Sequence, residues 1–115
     1  MDRMPASTMP RSFLMLPISF EFYPPKTDEQ RLQLDRSVQK LKAYAPQFMS
    51  VTFGAGGSTL SYTGETVRRL REHHGLNGVP HLSCVGGTRD EIRQLLGEYK
   101  TLGCDRIVAL RGDLP

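Results

Sequence analysis

Apolar and polar side chains alternate strictly over residues 18–23, where Ile18, Phe20 and Phe22 interleave with Ser19, Glu21 and Tyr23. A period of two is the mark of a β-strand. Pro24 and Pro25 end it, because proline offers no backbone donor to a ladder. Three further short apolar runs read as strands: Phe48–Phe53, Pro80–Cys84 and Arg106–Arg111. Between them the period lengthens to that of a helix. Thr27 and Gln30 have capping-box spacing, and Leu34, Val38, Leu41 and Ala45 then share one face until Pro46. A second helix is expected from about Gly64 to His74, burying Val67 and Leu70, with Gly75 as its C-terminal cap. A third opens on the capping box of Thr88 and Glu91. It buries Ile92, Leu95, Leu96, Tyr99 and Leu102 and closes at Gly103.

The resulting order, β-α-β-α-β-α-β, argues an α/β fold with a parallel sheet and right-handed crossovers. An open doubly wound sheet and a barrel both satisfy it. Parity favours the barrel. One face reads Phe20/Phe22, Met49/Val51, Leu82/Cys84 and Val108/Leu110. The other reads Ser19/Glu21, Ser50/Thr52, His81/Ser83 and Arg111/Asp113, and is polar toward the C-terminal ends of the strands. An open sheet covered on both faces would be apolar on both. The expected fold is therefore a parallel βα repeat of four strands belonging to a (β/α) barrel. Residues 1–17 read as a mobile tail ahead of the repeat.

Composition narrows the class rather than the chemistry. The chain is 38% apolar and 23% charged with a net charge of +3, and its Lys and Arg are interleaved with Asp and Glu. With no basic stripe, nucleic acid is not an expected partner. The apolar run at residues 13–20 is too short to span a membrane and is broken by Pro17. Cys84 and Cys104 lack metal-like spacing and read as unpaired core thiols in a reducing cytosol.

The candidate chemistry sits on the polar face. Glu21, near the end of its strand, is the strongest candidate, its bland reading being an edge-strand carboxylate or a partner for a nearby arginine. His81 alone reads as a hydrogen-bonded structural histidine. The segment GAGGST, residues 54–59, follows the second strand where a barrel carries a ligand loop. It is neither a dinucleotide fingerprint, since Thr59 replaces the third glycine, nor a P-loop. In LRGDLP, Arg111 and Asp113 flank Gly112, which admits close approach of backbone to a ligand. His73 and His74 end a helix and read as surface residues suited to its dipole.

Together, SFEFYPPKT, VTFGAGGST, PHLSC and RIVALRGDLP, in this order, resemble the methylenetetrahydrofolate reductase family over residues 18 to 115. The resemblance implies a flavoprotein built on a TIM barrel, cytoplasmic and a homo-oligomer when complete. It implies FAD as cofactor, NADH or NADPH as reductant, and 5,10-methylenetetrahydrofolate as substrate. The product would be 5-methyltetrahydrofolate, the methyl donor for methionine synthesis. By this likeness Glu21 is the general acid that opens the folate ring, and Thr52 lies near the nicotinamide cofactor. Phe53, Ala55, His81, Arg111, Gly112 and Asp113 fall on positions that contact FAD, and Asp113 also on one that touches the folate. An interior, desolvated carboxyl group would suit the acid. Phe53 stands where a tyrosine is common, and LSYT, residues 60–63, replaces a more charged segment. A TIM (β/α)8 barrel takes about 250 residues and this chain has 115. The resemblance therefore implies that residues 18–115 are the first four strands, the N-terminal half, of a truncated barrel, and that the chain is a fragment of a longer coding sequence. The rival reading is a non-catalytic half-barrel, a relic or a module that self-associates through its open sheet edges.

Overall fold

The computed structural model describes residues 16–53, 60–85 and 87–112. Its order is β1 (Ser19–Phe22), α1 (Asp28–Leu41), β2 (Phe48–Val51), α2 (Leu60–Glu72), β3 (Gly78–Ser83), α3 (Arg89–Thr101) and β4 (Val108–Leu110). All four strands are parallel and lie side by side as β1-β2-β3-β4. Doubly wound sheets reverse their strand order at a switch point. A monotonic order with a helix in every crossover is instead an arc of a (β/α) barrel.

The helix ends follow their sequence signals with small departures. The Thr27 side chain accepts from the Gln30 amide at the start of α1. The Gln30 side chain, however, accepts from the Lys26 amide, one residue short of a closed capping box. A turn of 3₁₀ helix at Lys42–Tyr44 extends α1, and Ala45 ends it in the left-handed region with φ 49°. Ala45 is therefore exposed rather than part of the buried stripe. The second helix starts at Leu60, earlier than expected, and ends before His73 and His74. Thr88 and Glu91 close a full capping box on α3.

The core lies between the sheet and its helices. Leu34 and Val38 of α1, Met49 and Val51 of β2, and Val67 and Leu70 of α2 are buried together, with Phe20 and Phe22 packed against them. Close packing of α2 on β3 depends on Gly78, because a Cβ there would lie 2.9 Å from the Val67 carbonyl oxygen. From α3, Tyr99 is buried while Leu96 is exposed, so the outer part of its expected stripe faces solvent.

One parity assignment is corrected. His81 pairs with Val108, Leu82 with Ala109 and Ser83 with Leu110. Paired residues in a parallel ladder share a face, so Val108 and Leu110 stand with His81 and Ser83, and Ala109 faces the helices. The sequence alternates equally well in either phase over so short a strand, and only the ladder decides between them.

Candidate active site

The inner face of the sheet, opposite the helices, collects the polar residues. Register places Glu21 beside Ser50 and Ser50 beside Val79. His81 and Ser83 follow Val79 on the same face by alternation. The sheet thereby brings Glu21 of β1 and His81 of β3 together across β2, with Glu21 Oε1 3.3 Å from His81 Nε2. The two side chains differ sharply in environment: His81 is 9% exposed and Glu21 61%. His81 Nε2 is buried and makes no hydrogen bond, so its contact with Glu21 is electrostatic proximity without bonding geometry. The desolvation expected for Glu21 is not supplied by the described residues, because β1 is the edge of their sheet and shelters the carboxylate on one side only.

Thr52 continues this face past the end of β2. Its amide donates to the Phe22 carbonyl, and its own carbonyl accepts from the Thr63 hydroxyl of α2 at 3.0 Å. Backbone anchoring on both sides holds Thr52 and the half-buried Phe53 at the rim. After β4 the chain turns at Gly112, whose φ of 85° falls in the left-handed region. A Cβ at Gly112 would sit 2.6 Å from Ser83 Oγ, so the turn rests directly on the end of β3. Arg111 is exposed beside it. Ala55, with the rest of residues 54–59, and Asp113 lie outside the described residues. The structure thus brings Glu21, Thr52, His81 and Gly112 to one rim. Ser50 and Ser83, placed on this face by alternation, belong to it too, although neither was given a role in the sequence reading.

The family model described as methylenetetrahydrofolate reductase matches residues 14–115. The chain belongs to this family. Its relatives include the 5,10-methylenetetrahydrofolate reductases of Salmonella typhimurium, 43% identical over 98 residues, and of Escherichia coli, 41% identical over the same length. A relative from Zea mays named methylenetetrahydrofolate reductase (NADH) 1 is 36% identical over 97 residues. These alignments take in 85%, 85% and 84% of this chain but 33%, 33% and 16% of the relatives. The chain therefore spans about a third of the length of the bacterial reductases it matches.

Other polar groups of this family member serve the fold. His74 is buried, not a surface cap, and its Nε2 lies 2.8 Å from Asp35 Oδ1. Arg69 meets both oxygens of Asp35, at 2.9 and 2.5 Å, binding α2 to α1. The Arg69 hydrogen bond and, less strongly, that of His74 hold the Asp35 carboxyl well below the usual carboxylate range, against the opposing effect of burial. Sequence pattern missed this triad because its members lie 34 and 39 residues apart. The cysteines are both free, but Cys84 is exposed rather than in the core. Cys104 is half-buried, and burial pushes its thiol up. Among the described residues no cluster of His, Cys, Asp and Glu could hold a metal ion. No helix among them is long and apolar enough to cross a membrane.

Proposed function

We propose that the complete protein is a cytoplasmic, flavin-dependent reductase that converts 5,10-methylenetetrahydrofolate to 5-methyltetrahydrofolate. Family membership makes the reaction class the natural reading, and the pairing of Glu21 with His81 on the polar rim is the observation that carries it. Two features are compatible with a flavin: His81 Nε2 is buried and makes no hydrogen bond, and the backbone at Gly112 carries no side chain beside the end of β3. His81, Gly112, Arg111 and Asp113 would hold FAD from this part of the barrel, with Phe53 and Ala55 at its edge. FAD, when bound, would take a hydride from NADH or NADPH and deliver it to the folate. The maize relative, named for NADH, makes NADH a reasonable first reductant to try.

The chain's own contribution is proton delivery and orientation. Glu21 would protonate the folate ring nitrogen so that the five-membered ring opens to an electrophile. His81 Nε2 lies 3.3 Å from the carboxyl group and would face the same ligand. Thr52, pinned through its backbone to Phe22 and Thr63, would line the nicotinamide side, and Asp113 would meet the folate. The purified full-length protein should carry FAD and reduce methylenetetrahydrofolate with NADH or NADPH. Absence of both flavin and turnover would contradict the proposal.

A second reading draws on the two open strand edges, β1 and β4, among the described residues. Parallel edges of this kind pair readily with another chain. A half-barrel that self-associates without catalysis would appear as a flavin-free dimer in gel filtration.

A further inference from the structure

We propose that Ser83 is a further binding residue of the rim, its hydroxyl donating a hydrogen bond to a carbonyl or ring-nitrogen acceptor of the heterocycle seated there. The inference rests on the flavin-dependent reading above and adds a residue of the PHLSC segment to which the resemblance gave no role. Three observations carry it. Ser83 stands on the same face as His81, two residues further toward the rim, and is only half-buried. Its Oγ accepts a long hydrogen bond, 3.4 Å, from the Val85 amide, which occupies one lone pair and leaves the hydroxyl proton unspent. Among the described residues no acceptor takes that proton.

The third observation is steric. A Cβ at Gly112 would come to 2.6 Å of Ser83 Oγ and 3.2 Å of Val85 Cγ2. The turn at Gly112 therefore packs against the Ser83 hydroxyl, and only glycine lets the chain after β4 lie so close to it. Two unspent polar groups, His81 Nε2 and the Ser83 hydroxyl, then lie one strand repeat apart on one face, roughly 7 Å along the chain. Planar heterocycles with several acceptors along one edge match such a row. Holding β3 together is not Ser83's task, because the ladder already continues through the Cys84 amide to the Leu110 carbonyl.

The test uses the full-length protein, Ser83→Ala and Ser83→Thr, with three readouts: FAD affinity of the apoprotein by fluorescence quenching, flavin midpoint potential, and thermal unfolding of the apoprotein. Ser83→Ala should weaken FAD binding about tenfold, the scale of one net hydrogen bond. It should also lower the potential, since a lost donor leaves the ring less able to accept electrons. Apoprotein unfolding should not change, and Ser83→Thr should stay within about threefold of the parent because the hydroxyl is retained. Parent-like affinity and potential in Ser83→Ala, or equal loss in both variants, overturns the inference while leaving the reductase reading intact. A parent protein that binds no FAD overturns both.

Discussion

Glu21 and His81 meet because β1 and β3 each present a polar residue on the inner face and only β2 lies between them. Position on that face was legible from alternation alone. Their contact was not, since it depends on a two-residue offset between the ladders. A buried, unbonded imidazole nitrogen costs stability unless a ligand satisfies it. His81→Ala in the full-length protein should therefore weaken FAD binding by roughly tenfold or more without lowering apoprotein stability much. Equilibrium titration with FAD checks this, and unchanged affinity would remove His81 from the flavin site. Asp113→Asn should raise the flavin potential, because a carboxylate near the ring disfavours the anionic reduced form. Potentiometric titration decides it, an unchanged or lower potential counting against a flavin-facing Asp113.

Helices and strands were the more legible level, because caps and periodicity act locally. Thr27 and Thr88 mark real helix starts, Gly75 takes the left-handed turn that follows α2, and every expected strand is present. What local pattern could not supply was the phase of β4 and the Asp35–Arg69–His74 tie between α1 and α2, both of which depend on partners distant in sequence. Asp35→Asn should cost about 1–2 kcal/mol at neutral pH, as expected for a partly exposed ion pair with good geometry. The folded-state value of Asp35 is depressed, so its stabilisation is complete above the ordinary carboxylate value and is lost as pH falls toward the depressed one. Urea unfolding of parent and variant should show a gap that narrows below about pH 4. A gap independent of pH would contradict the pairing. Tyr99 offers the opposite case. Its hydroxyl is buried with no partner, and burial pushes the phenol up to about 12. The unfolded chain would ionise first, so stability should fall as pH rises from about 10 toward that value. Tyr99→Phe should be neutral or stabilising by up to about 1 kcal/mol at pH 7 and should lessen the alkaline loss. Clear destabilisation at pH 7 would show that the hydroxyl is satisfied.

Taken as a whole, the molecule is an arc of barrel whose inner face carries the candidate site residues and whose outer face carries the core. Spanning a third of its bacterial relatives, the 115-residue chain alone should neither retain FAD nor turn over. Glu21 is 61% exposed, and among the described residues β1 and β4 are edges, so the rim would hold a flavin from one side only. Gel filtration of the chain mixed with FAD checks this; a soluble monomer carrying stoichiometric flavin would show that four strands suffice. The central claim, that Glu21 is the proton donor of a flavin-dependent folate reductase, is tested most directly by stopped-flow kinetics of Glu21→Gln in the full-length protein. Glutamine keeps the shape but delivers no proton, so folate reduction should fall roughly 10²–10⁴-fold while flavin reduction by the nicotinamide cofactor stays near the parent rate. Equal loss in both half-reactions, or no loss in either, would contradict the account.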